Sequence, residues 1–497
     1  MLRNRKVVFI MTDSQRHDMC SCYRETGLQT PCIDRLASRG MRFANAYTTQ
    51  PVCQPARAAI FTGQYPHSCA GWSNSMGISD NVHTIGERLS DEGVHTAYVG
   101  KWHLDGGDYF GTGMCPKGWD ERYWYDMRCY LQELSEDMRK STRRADSMYE
   151  RDYSAQDTYA YRCADRAVDF LKKYHEEDFF LTVSFDEPHD PYICPPPYVH
   201  MYDDFVFPKS KNVQDTLENK PDYQRAWAGG REKESKEDLE IKHPLFFGCN
   251  SFVDEQIGRV VDAVERYAPD AVIIYTSDHG DMLCSHSIHG KGPACYEEIT
   301  HIPLIIAGKG IPQNTVNENI VSHLNLAPSI MELMGLSIPK VMDGSSMLET
   351  LEHPETAPNE HIFIEFGRYE VDHDGFGGFQ PMRCAFDGRY KLCIHMLSSD
   401  ELYDLKEDPD EMVNLIDSEA HAQVRNQLHD AILAEMNRTR DPFRGYYWHR
   451  RPWRTDAPEP SWAYTGMTRQ REEDERYEPR QLNYADGMPM KDAVRKK

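Results

Sequence analysis

The sequence predicts an α/β protein: a large region with a mostly parallel sheet flanked by helices, then a smaller α+β region and an extended tail. Three observations predict it. Short continuous apolar runs alternate with amphipathic stretches through the first two-thirds of the chain, as expected for strands buried on both faces between covering helices. From about His361 the pattern changes to closely spaced short strands and a single helix. From about Asp441 aliphatic runs almost vanish, while Trp448, Trp453 and Trp462 remain.

The strands expected in the large region are 7–11, 96–99, 179–185, 271–275 and 303–306. Helices are expected at 33–39, 85–91, 159–174, 252–267 and 326–334. Each expected strand is short and apolar, and each helix carries apolar residues at intervals of three and four. The charged segment 209–243 is poor in apolar residues and reads as an insertion near the functional site. The second region offers strands at 361–366, 383–386 and 391–394 and a helix at 420–438. The expected division is 1–355 for the large region, 356–440 for the α+β region and 441–497 for the tail. A disordered tail seldom carries so many aromatics, so the tail is expected to dock on this subunit or on a neighbour, which suggests a homo-oligomer.

Composition narrows the function. Lys and Arg number 56 against 80 Asp and Glu, a formal charge of −24. Such a surface repels nucleic acid and anionic membranes, which excludes both as general partners. An anionic substrate would need a local basic pocket. The apolar run after Lys6 is too short for a signal-peptide core, and no stretch is long and apolar enough to span a membrane. A cytoplasmic location and reduced thiols for the 14 scattered cysteines are therefore expected.

In sheets of this kind, sites form beyond the carboxyl ends of the strands. Asp13 lies just past the first expected strand and Asp278 just past the fourth. Taken alone, Asp13 could equally be a helix N-cap or a metal ligand. Asp278 and His279 are adjacent, with His286, His289 and Lys291 close behind, a grouping that suggests a metal site that also holds an anion. Cys53 precedes a helical run, and Arg57 falls one turn on along the same face; a helix N-terminus is a ready anion site. Lys101 and His103 follow the 96–99 strand, and His189 follows the 179–185 strand. Each would more often be an ordinary loop residue, but these strands should end on one side of the sheet. Trp72 and Asn74 are candidates for a pocket wall. Cys20 and Cys22 lack the spacing of a zinc knuckle, the charges at 231–240 read as a solvated face, and Cys284 and Cys295 flank the site without a pattern that marks them as reactive.

Together these motifs resemble the formylglycine-dependent sulfatases of the alkaline-phosphatase superfamily. The resemblance rests on Cys53-x-Pro55-x-Arg57, on Thr30, Pro31, Ile33, Asp34, Leu36 and Ala37, on Phe43, Asn45, Ala46 and Tyr47, on Gly100 to His103, and on Ser277 to Gly280 through His286 to Lys291. Gly388, Lys391, Leu392, Glu401 to Leu405 and Asn414 extend it to about residue 415. It implies that a maturase oxidises Cys53 to formylglycine, which hydrates to a geminal diol. One hydroxyl attacks sulfur, the alcohol leaves, and the second hydroxyl lets the aldehyde re-form as sulfate departs.

By the same resemblance Asp13, Asp278, His279 and residue 53 bind a divalent metal, Ca²⁺ by its oxygen ligands or else Mn²⁺. Arg57 and Lys101 orient the diol, His103 is the base, and Lys291 and His189 grip sulfate and protonate the leaving oxygen. Ser14 departs from the pattern, since many relatives carry a second acid there; its hydroxyl, a water or Asp18 could take that place. His279 stands where relatives carry Asn or His. The expected substrate is a sulfated small molecule or saccharide, whether aryl, sugar or alkyl sulfate. The rival readings are a phosphonate monoester or phosphodiester hydrolase of the same superfamily, and a sulfatase-like binding protein without turnover.

Overall fold

The computed structural model describes residues 2–106, 109–151, 153–370 and 378–454. Its first sheet has eight strands: β1 (Lys6–Thr12), β2 (Gly40–Tyr47), β3 (His95–Gly100), β4 (Phe179–Ser184), β5 (Val272–Ser277), β6 (His301–Ile302), β7 (Leu304–Ala307) and β8 (Thr315–Ser322). The strands β3, β4, β1 and β5 lie side by side and parallel. Beyond them β7 runs antiparallel to β5 and to β2, while β2 and β8 are parallel. The sheet is thus mostly parallel, and the expected strand at 303–306 is reversed, as is the two-residue β6 before it.

Alternation along β1 shows why both faces are covered. Val8 and Ile10 point into one apolar layer with α1 (Pro31–Ser38), the helix we label α4 (Tyr159–Tyr174), and α5 (Pro244–Tyr267). Val7, Phe9 and Met11 point into the opposite layer with α2 (Cys53–Thr62), α3 (Ile85–Asp91) and α6 (Leu326–Leu333). A strand buried on both sides admits no charged side chain in its interior, so the first charged groups past each carboxyl end collect at one edge.

The second sheet is antiparallel, in the order β12 (Glu401–Asp404), β11 (Tyr390–His395), β10 (Phe379–Phe386), β9 (Ile362–Arg368). The helix α7 (Ala422–Arg438) covers one face through Leu428, Ile432, Leu433 and Met436. The other face meets the large sheet through Tyr47, Ile320, Ile364 and Phe386. Trp448 is 2% exposed and packs with α7, so the start of the aromatic segment docks on its own chain. Trp462 lies outside the described residues. Among the described residues, no helix is long and apolar enough to cross a membrane.

Candidate active site

Strand register assembles the site. Thr12 pairs with Ser277 and Met11 with Ser184, while Gly100 also pairs with Ser184. Asp13, Asp278, Lys101 and the 185–189 turn therefore leave the sheet together. Gly100 is required for that approach: its φ is +116°, and a Cβ there would stand 1.9 Å from the Ser184 carbonyl oxygen.

Cys53 opens α2, whose preceding residue Val52 offers no side-chain cap. Asn74 Oδ1 accepts from the Gln54 N–H at 3.0 Å and so takes the capping role, while Trp72 packs edge-on against Phe443 with ring centroids 5.9 Å apart. Neither of these candidates is among the residues that line the cleft described below. Arg57, one turn along α2, is fully buried. Its Nη2 donates to Asp13 Oδ2 and its Nε to Asp278 Oδ2, both at 3.0 Å, while Nη1 donates to the Lys101 carbonyl and to Ser184 Oγ.

The side chains of Asp13, Cys53, Asp278 and His279 each offer a donor atom, and these four atoms lie within 4.8 Å of one another. His279 Nδ1–H donates to the Gly280 carbonyl oxygen at 2.8 Å, which turns Nε2 toward Cys53 Sγ at 3.3 Å. Lys101 Nζ donates to Asp13 Oδ2 at 2.7 Å, and Lys291 Nζ lies 2.7 Å from Cys53 Sγ.

Charges decide the protonation states. Burial opposes ionisation of Asp13, yet Lys101, His189, Lys291 and Arg57 hold its carboxyl well below the usual range. Burial and the Asp13 charge push Asp278 upward. Burial and Asp13 also oppose the Cys53 thiolate, but Lys101, Lys291 and His279 bring the thiol well below its ordinary value. Against burial and the Lys101 and Lys291 charges, Asp13 and a hydrogen bond to Cys53 hold His189 up at about 9. Burial instead lowers His103, with Lys101 adding to the effect. The His103 Nδ1 is buried without a hydrogen-bond partner among the described residues.

Two of the expectations for the missing second acid can now be placed. The Ser14 hydroxyl donates to Asp13 Oδ1 at 2.8 Å, and its N–H donates to Asp278 Oδ1. Asp18 does not reach in: it forms a two-pronged pair with Arg16 at 2.8 Å. Two contributors were not singled out from sequence. Asp186, the second residue past β4, accepts a 3.0 Å ion pair from Lys101. Tyr109 donates to Asp186 and lays its ring 4.1 Å from Lys101 Nζ. Asp186 carried the same signal as Asp13, an acid just past a buried strand; Tyr109 carried none.

A cleft of about 400 Å³ opens beside this cluster, lined by Ser14, His189, Lys291, Tyr192, Trp227 and Phe246 among others. Trp227 comes from the expected insertion at 209–243. Part of that insertion is built in instead of solvated: Arg231 Nε donates to the Ser287 carbonyl at 3.2 Å, and Glu232 is buried. His286 lies behind the wall, with its Nδ1 2.6 Å from Asp215 Oδ2.

A sulfatase family model matches residues 5–336. The chain belongs to the sulfatase family. Sulfatases are sulfuric ester hydrolases, and this chain is therefore one. A second model, for the C-terminal part of N-sulphoglucosamine sulphohydrolase, matches residues 286–438 of this sulfatase. It is 42% identical over 495 residues to the uncharacterized sulfatase YidJ of Escherichia coli K12, covering 98% of this chain and 97% of that one. Its fold is similar to BT4656 in complex with D-glucosamine-2-N,6-O-disulfate, at a TM-score of 0.71 and 21% identity over 88% of this chain and 98% of the other. It is also similar to a phosphonate monoester hydrolase of Agrobacterium radiobacter, at a TM-score of 0.72 and 22% identity over 87% and 96% of the two chains.

Proposed function

We propose that this sulfatase hydrolyses the sulfate ester of a small or saccharide alcohol at residue 53, after a maturase has oxidised Cys53 to formylglycine. A divalent cation would be held by Asp13, Asp278, His279 and residue 53. The observation that carries the reading is the convergence of those four donors under Lys101, Arg57 and Lys291 at the start of α2. Two buried carboxylates and one imidazole whose Nε2 faces them fit Ca²⁺ or Mn²⁺. The cation supplies Lewis-acid charge that offsets the sulfate and lowers the pKa of a neighbouring hydroxyl. Hydrated formylglycine supplies two hydroxyls, one to attack sulfur and one to release sulfate afterwards.

The remaining work falls to side chains around that centre. Arg57 and Lys101 fix the Asp13 carboxylate and place positive charge beside residue 53. His103, kept neutral, suits a base for a hydroxyl on residue 53. Lys291 suits one sulfate oxygen, and His189, kept protonated, suits proton donation to the leaving alcohol. The cleft of about 400 Å³, walled by Tyr192, Trp227 and Phe246, suits an aryl or sugar group and gives it aromatic faces to pack on.

The test compares initial rates on an aryl sulfate and an aryl phosphonate monoester, with the protein co-expressed with a maturase and Cys53→Ala as the blank. Faster sulfate turnover, lost in the blank, supports the proposal. Faster phosphonate turnover overturns it in favour of a phosphonate monoester hydrolase.

A further inference from the structure

The mouth of the cleft holds a second group of potential ligands. His243 stands at the start of α5. Cys284 sits in a tight turn at φ 72° and ψ −7°. His289 follows in the next loop, its carbonyl fixed by the Trp227 indole N–H at 3.2 Å. One donor atom from each of the three lies within 4.8 Å of the other two, and Cys284 Sγ is 3.7 Å from His289 Nδ1. These residues are separate from the Asp13 and Asp278 cluster, and both histidines line the cleft beside Lys291.

We propose that His243, Cys284 and His289 form a site for a zinc-class divalent ion at the mouth of the substrate cleft. The donor set, two imidazoles and one thiol, selects a borderline-soft ion and disfavours Ca²⁺, which takes oxygen ligands. In tetrahedral zinc sites donor atoms stand about 3.5 Å apart, so closing this group needs a shift on the order of 1 Å. The exposed His289 ring has room for it. Burial keeps both imidazoles below their usual pKa, so each has a lone pair to give at neutral pH. On binding, the Cys284 S–H bond breaks, its proton goes to solvent, and the sulfur–zinc bond forms. Asp281, also on the cleft wall, offsets the positive charge of Arg231 near His289. Three protein donors leave one coordination position of a tetrahedral ion for water or a substrate oxygen.

The test is calorimetric titration of Zn²⁺ into the full-length Cys53→Ala protein with Ca²⁺ present, which removes the Cys53 thiol from competition. One zinc per chain is expected, with affinity falling at least tenfold in the added variant His289→Ala. Because His289 is exposed, that substitution leaves the core untouched. A parallel Co²⁺ titration should give a thiolate-to-cobalt charge-transfer band that is lost in Cys284→Ser. Absence of binding overturns the proposal. So does binding that survives both substitutions, which would instead point to the buried trio Cys295, Cys384 and Cys393. The readouts are binding and absorbance, so they stand or fall independently of sulfate ester turnover.

Discussion

Lys291 Nζ stands 2.7 Å from Cys53 Sγ across 238 residues of chain, and 3.9 Å from Asp13 Oδ1. The lysine thus faces Cys53 from the cleft side, while Lys101 and Arg57 lie on the sheet side. Cations placed beforehand where charge develops lower a barrier without reorganisation. Lys291→Ala is expected to reduce kcat/KM on an aryl sulfate about 10²- to 10³-fold. Lys291→Arg should not restore the rate, because a planar guanidinium cannot occupy the place of a compact ammonium. Near wild-type rates in Lys291→Ala would remove the lysine from the mechanism.

Arg57 makes a different prediction, because it is structural as well as chemical. It joins two fully buried carboxylates, Asp13 and Asp278, and also holds the Lys101 carbonyl and Ser184 Oγ. Removing one member of a buried ionic network strands the others at a cost of about 3–5 kcal/mol. Arg57→Met should lower the free energy of urea unfolding by that amount and abolish turnover. Arg57→Lys should recover only part of the stability, since one ammonium cannot span both acids. Unchanged stability in Arg57→Met would contradict the placement of its guanidinium.

Much of this site was legible because a buried parallel strand admits no charged side chain in its interior. Asp13, Lys101 and Asp278 each stand at such an end, and the register of β1, β4, β5 and β3 turns that shared position into proximity. What was not legible needed the third dimension. β8 reads as polar because Thr315, Val316, Glu318 and Asn319 are not buried, so its strand character lies in pairing with β2 and not in an apolar run. β7 has the composition of a parallel core strand, and its antiparallel pairing with β5 and β2 is not written in that composition. Asp18 looked available for metal because its pairing with Arg16, two residues away, depends on side-chain directions that spacing does not give.

The aromatic segment after α7 is tied to its own chain by a buried ring and by charge. Asp441 Oδ1 accepts from Arg383 Nη2 at 2.9 Å, and Trp448 packs among Leu428, Ile432 and Met436. Trp448→Ala should therefore cost about 3–5 kcal/mol, the range for emptying a large aromatic site. Thermal unfolding followed by tryptophan fluorescence would read this as a lowered midpoint. An unchanged midpoint would mean that the segment is an ornament on the four-stranded sheet.

The last prediction concerns acid stability and rests on His429. Its Nε2–H donates to the Trp448 carbonyl at 2.6 Å, and Arg454 Nη1 donates to its Nδ1 at 2.9 Å. Burial lowers its pKa to about 4, the Trp448 carbonyl resists that shift, and Arg454 adds to it, since a proton on Nδ1 would face the guanidinium. The unfolded chain takes up the proton near pH 6.5 and the folded chain only near 4. The stabilising contribution is therefore complete above pH 6.5 and is lost as pH falls toward 4. Other groups titrate in the same window, so the comparison must be differential. His429→Gln keeps a neutral side chain at all pH values and should lower stability at pH 7.5. Between pH 6.5 and 4.5 the wild type should then lose urea resistance faster than the variant, so that the two midpoints converge. Parallel slopes would show that His429 keeps its ordinary pKa on folding, and that the Arg454 contact does not hold in solution.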